Sequence, residues 1–88
     1  MYLLEIEEKL KKKFEKLKFS DIKHSKAIRK KIEQILENPY HFKPLRKPMN
    51  HLRRVHIMKS FVLIYLIDEN TKTVFIVDYG HHDTIYKN

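Results

Sequence analysis

At Asn38-Pro39 the spacing of apolar residues changes from helical to strand-like, and this break commits the chain to an α+β layout. Before it, Leu10, Phe14 and Leu17 lie four and three apart, one face of an amphipathic helix over Glu7–Lys18. Lys9, Lys11, Lys12, Lys13 and Lys16 occupy its other face. Ser20 or Asp21 supplies the short side-chain oxygen of an N-cap, and Ile28, Ile32, Ile35 and Leu36 mark the buried stripe of a second helix. Pro39 cannot continue that helix and biases Asn38 away from helical angles. The two helices therefore form an antiparallel hairpin. The opening Met1–Ile6 fits either a short strand or a first helical turn.

Beyond the break, Tyr40–Asn50 holds Pro44 and Pro48 and has no period, so it reads as a loop. Leu52–Met58 alternates, with Arg53, Val55 and Ile57 on one side and Leu52, Arg54, His56 and Met58 on the other. A turn at Lys59-Ser60 leads to Phe61–Ile67, apolar on both faces and so a central strand. Asp68-Glu69-Asn70 turns into a further strand over Thr73–Tyr79. The expected fold is an N-terminal helical hairpin packed on a small, mainly antiparallel twisted sheet of three to four strands. It forms a single domain over residues 1–88. Chains of this length bury roughly 60–65% of their unfolded surface, enough for one core.

Charge points to the partner. From Asn38 to Ile67 there is no Asp or Glu, while the formal net charge of the chain is +8. Concentrated positive charge favours a polyanion, with nucleic acid first and an acidic protein second. The absence of cysteine removes disulfides and thiolate metal sites, and fits a reducing compartment. Charged residues follow Met1–Leu4 at once, so no secretory signal is expected, and Phe61–Ile67 is too short to cross a membrane.

If Val55 and Ile57 pack under the helices, Arg54 and His56 lie on the open face of the sheet. Basic residues on a solvated sheet face would look the same. The tail Gly80-His81-His82-Asp83-Thr84-Ile85-Tyr86 brings imidazoles and a phenol towards the Lys59-Ser60 turn. Cleaving RNA without a metal needs a base for the 2′-hydroxyl, cations for the transition state and an acid for the leaving 5′-oxygen. Arg, Lys, His and Tyr can fill all three roles. On an extended chain His81 and His82 point opposite ways. A metal site completed by Asp78, Asp83 or His56 matches no standard zinc spacing, so no metal and no cofactor is expected. Tyr86 would also serve as a packing aromatic.

The order of helix hairpin, Pro-rich basic loop, Leu52-Arg53-Arg54-Val55-His56-Ile57, Phe61-Val62-Leu63-Ile64-Tyr65 and the Gly-His-His tail ending in Tyr86 resembles the RelE/ParE toxin superfamily. The resemblance implies a type II toxin that cleaves ribosome-bound mRNA by 2′-hydroxyl attack and is restrained by a RelB-like antitoxin, in the cytoplasm and away from membranes. It implies catalytic roles for Arg54, His56, Lys59, His82 and Tyr86. Arg54 and Lys59 neutralise phosphate, His82 is the general acid, and Tyr86 or His56 assists the base. Lys43, Arg46, Lys47, Arg53 and His81 would grip RNA. Val62 stands where many members carry a central-strand arginine, and His56 replaces what is often Lys or Arg. Other readings are a ParE-like gyrase inhibitor without nuclease activity and a non-catalytic basic RNA-binding module.

Overall fold

The computed structural model describes residues 1–85. Its elements run β1 (Leu3–Ile6), α1 (Glu8–Ser20), α2 (Ile22–Glu37), β2 (Leu52–Ile57), β3 (Phe61–Asp68), β4 (Thr73–His81) and a single helical turn, α3 (His82–Ile85). Only Asp21 separates the first two helices. Its side chain accepts the backbone N–H of His24 at 3.1 Å, which caps α2 as the sequence indicates. Helix α2 stops at Glu37, ahead of Asn38-Pro39.

The four strands form one mixed sheet in the order β1-β4-β3-β2. Hairpins join β2 to β3 and β3 to β4, so those pairs are antiparallel. The opening residues resolve as a strand: β1 runs parallel to β4, pairing Leu3 with Thr73 through Ile6 with Ile76. The helices between β1 and the rest supply the crossover that a parallel pairing requires.

The helices cover one sheet face. Leu10, Ile28 and Ile35 meet Val55, Ile57, Leu63, Tyr65, Val74, Ile76 and Tyr79 in a core from which water is excluded. Burial of this apolar surface supplies the main drive to fold. A β-bulge sets which residues of β4 reach that core. Ile64 pairs with Asp78 and Tyr65 with Ile76, so Val77 is left unpaired and the alternation shifts by one. Val74 and Ile76 point inward before the bulge, and Tyr79 points inward after it. Without it, the Asp78 carboxylate would be driven into the core.

The loop before β2 is less free than its prolines imply. Leu45 N–H donates to the Leu52 carbonyl at 2.9 Å and Arg54 N–H to the Lys43 carbonyl at 3.2 Å. This short pairing covers part of the β2 edge, where unpaired backbone groups would invite another strand. Among the described residues, no helix is long and apolar enough to cross a membrane.

Candidate functional site

The site begins at the β2–β3 turn. Met58 and Lys59 have φ of 53° and 67°, in the left-handed region that tight hairpin turns demand. Such angles cost a side-chain-bearing residue about 1–2 kcal/mol each. Lys59 is exposed in this turn, at the end of the β2–β3 hairpin. Ser60 closes the turn, its N–H donating to the Met58 carbonyl at 2.7 Å.

Strand β4 extends past Tyr79 and delivers the histidines to this turn. His81 pairs with Phe61, and the His82 N–H donates to the Ser60 carbonyl at 2.8 Å. The His81 ring stands edge-on to Phe61, centroids 5.7 Å apart. Lys59, His81 and His82 thus belong to one structural unit. The expectation that the two imidazoles diverge is corrected. The chain leaves the extended conformation at His82, and the rings lie 4.7 Å apart at 31°. Both Nδ1 atoms approach the Asp83 carboxylate, His82 at 3.0 Å and His81 at 3.6 Å.

The sheet face away from the helices is not simply solvated. His56 is exposed there and Arg54 half-buried. Along two rows across the sheet, His56 is followed by Val62 and Gly80, and Arg54 by Ile64 and Asp78. His56 and Gly80 are therefore two strand spacings apart, roughly 10 Å. At the middle of the two rows, Val62 and Ile64 are buried. One reason is α3, which folds back so that the Ile85 side chain sits over Gly80; a Cβ there would lie 3.3 Å from Ile85 Cδ1. Leu45, Met49, Leu52, Ile64, Val77, Asp78 and Ile85 line a groove of about 330 Å³. The face is an apolar trough with basic groups on its rim. Val62, beside Ile64 on the same face of β3, is buried as well.

The remaining candidates separate clearly. Lys43, Arg46 and Lys47 are exposed on the loop beside β2. Arg53 faces the opposite side of β2, where its guanidinium donates to the Phe42 carbonyl at 2.6 Å and lies 5.1 Å from the Tyr40 ring centroid. It ties the loop to the sheet and is turned away from the trough. Tyr86 lies outside the described residues.

One buried polar pair escapes the sequence reading. His24 Nε2 and Tyr79 Oη share a hydrogen bond inside the core. Burial pushes the Tyr79 phenol above its ordinary pKa, so it stays protonated. Phe61 stacks on Tyr79 at 12° and lies 4.5 Å from the His24 ring, forming an aromatic column that ends at His81. The signal was available: His24 lies one helical repeat before Ile28, on the buried stripe.

This arrangement of helices, mixed sheet and basic-rimmed trough defines a RelE-like α+β fold. Residues 4–86 match the family described as ParE toxin of the type II toxin–antitoxin system, parDE. The chain is 55% identical over 87 residues to a protein described as a RelE4 toxin candidate of Methanocaldococcus jannaschii, covering 99% of this chain and 93% of that one. An uncharacterized protein of Methanosarcina mazei is 51% identical over 86 residues, 98% of this chain and all of its own length. In structure, the toxin in the intact E. coli RelBE toxin–antitoxin complex superposes with a TM-score of 0.74 at 22% identity, covering 92% of this chain and 96% of that one. Isolated E. coli RelE gives 0.72 at 23% identity, over 92% and 84% of the two chains. These two likenesses establish the fold. The chain belongs to the ParE toxin family within the RelE/ParE superfamily, and is a RelE-like toxin of a type II toxin–antitoxin system.

Proposed function

We propose that this toxin is a ribosome-dependent endoribonuclease that cleaves mRNA by attack of a 2′-hydroxyl on the adjacent phosphate. The observation that carries the reading is the clamp between His82 and Ser60, which sets an imidazole beside the Lys59 turn at the end of a basic-rimmed trough. His56 or Tyr86 takes the 2′-hydroxyl proton, the 2′-oxygen bonds to phosphorus, and the bond to the 5′-oxygen breaks. His82 protonates the departing oxygen. Lys59 and Arg54 offset the charge that grows on the phosphate. The products are a 2′,3′-cyclic phosphate and a 5′-hydroxyl. Exposed Lys43, Arg46 and Lys47 hold the message by its phosphates, and the trough offers an apolar floor to a base.

Val62, between His56 and Gly80 on the central strand, leaves that row of the sheet without a second cation. A second surface that holds and orients the message would then supply much of the catalytic advantage, since positioning alone lowers barriers substantially. The ribosome provides such a surface. For restraint, a RelB-like antitoxin is the expected partner, as in the E. coli RelBE complex. A groove between the helices and β1, lined by Leu4, Ile6, Phe14, Ile28, Ile32 and Leu36, suits an amphipathic segment, and the +8 charge favours an acidic one.

The test is induced expression followed by mapping of message ends on ribosomes. Growth arrest with new 5′-hydroxyl ends on ribosome-bound mRNA is expected. DNA-damage signalling with intact messages would instead identify a gyrase inhibitor. Normal growth in the presence of folded protein would leave only a plain RNA-binding role.

A further inference from the structure

We infer that His81, His82 and Asp83 form a binding site for a divalent transition-metal ion of the zinc class. Two imidazoles and a carboxylate are donors that suit zinc, nickel or copper; magnesium and calcium prefer oxygen throughout. The donor atoms of the three residues all lie within 4.8 Å of one another. His82 Nδ1 lies 3.0 Å and His81 Nδ1 3.6 Å from the two Asp83 oxygens. Zinc bonds of about 2.0–2.2 Å place neighbouring ligands roughly 3–3.5 Å apart, so the cluster needs only small side-chain rotations to close on an ion.

The backbone holds the donors in place before any ion arrives. His81 is paired in β4 with Phe61, and His82 is clamped to Ser60. The Asp83 N–H donates to His81 Nδ1 at 3.2 Å, which holds the His81 ring beside Asp83; that nitrogen's one lone pair is then taken, so an ion binds His81 through Nε2 or displaces this bond. A single carboxylate facing two imidazoles can pair with both only if they carry protons, whereas a metal satisfies all three groups in their deprotonated forms. Half of each imidazole and most of the carboxylate remain accessible, so water completes the coordination and the ion exchanges freely.

One consequence rests on the ribonuclease reading above. An ion bound to His82 removes the imidazole from proton transfer, so the metal acts as an inhibitor of cleavage and not as a participant.

Calorimetric titration of the full chain with ZnCl₂ tests the site. One-to-one saturable binding is expected, with no comparable response to MgCl₂. His82→Ala and Asp83→Asn should each weaken zinc at least about 10-fold, while His51→Ala on the distant loop should not. Asp83 is exposed and, among the described residues, its carboxylate pairs with the two imidazoles, so Asp83→Asn should keep the parent circular dichroism. Absence of saturable zinc binding, or parental affinity in both site variants, overturns the assignment, as does magnesium binding of the same strength. In the cleavage assay, inhibition should follow the calorimetric saturation curve. If no cleavage occurs with or without zinc, the ribonuclease reading fails while calorimetry still decides the site.

Discussion

The His82 backbone N–H donates to the Ser60 carbonyl at 2.8 Å, and this bond fastens the end of β4 to the β2–β3 turn without using the imidazole. Anchor and chemical group are separate parts of one residue. His82→Ala should therefore lower RNA cleavage by about 10²–10⁴, the range of a lost general acid. Its unfolding free energy, from urea denaturation, should stay within about 0.5 kcal/mol of the parent's. Parallel measurement of ribosome-bound message cleavage and denaturation checks this. Parent-like cleavage would remove His82 from the mechanism.

The turn itself carries strain that a glycine would release. Met58 is exposed and holds φ of 53°, so its side chain contributes little packing to offset the left-handed backbone. Met58→Gly should stabilise the fold by about 0.5–1 kcal/mol, the steric relief exceeding the added freedom of the unfolded chain. A shift of the urea midpoint to higher concentration at constant slope is the expected readout. A shift the other way would mean that the Met58 side chain makes a contact that matters.

The helical hairpin and the three antiparallel strands were legible because Ile28, Ile32 and Ile35 repeat at helical spacing and Val55 and Ile57 at strand spacing. Leu3–Ile6 is too short for either period to declare itself, and only its register with Thr73–Ile76 settles the matter. The bulge at Val77 leaves no mark in composition, yet it turns Tyr79 inward and Asp78 outward. The trough was likewise hidden. Val62 and Ile64 are buried on the side away from the helices, and Ile64 lines a groove that Leu45, Met49 and Ile85 help to form from distant points in the sequence. Arg53 and Arg54 are neighbours in sequence and opposites in placement, one bonded to the Phe42 carbonyl and the other on the rim. No pattern of side chains in the sequence identifies a ribonuclease by itself; the residues are equally those of a basic surface.

Tyr65 links the core to the break that ends α2. Its buried hydroxyl donates to the Pro39 carbonyl at 2.6 Å, and burial pushes the phenol up to about 12. Tyr65→Phe keeps the ring but leaves that carbonyl without its donor, which should destabilise the fold by about 1–2 kcal/mol. Cleavage by the folded variant should be unchanged, since Tyr65 faces the helices and not the trough. Denaturation at two protein concentrations, together with the cleavage assay, would test both halves. An unchanged midpoint would show that water replaces the lost donor.

Glu69 gives the chain a stability term that depends on acid. Its carboxylate accepts hydrogen bonds from Lys72, Tyr40 and Tyr2, which hold it at about 2, below its ordinary value of 4.5. A carboxyl group depressed on folding stabilises the folded state above its unfolded pKa, and that contribution disappears as pH falls through the folded value. The difference in stability between the parent and Glu69→Gln should therefore be constant above about pH 5 and shrink between about 4.5 and 2. Because the cluster is at the surface, the difference should be modest and should fall further with added salt. Urea denaturation of both proteins from pH 2 to 6, at low and high salt, provides the test. A gap that keeps its size across that window would mean that Glu69 acts through packing, with its charge contributing nothing.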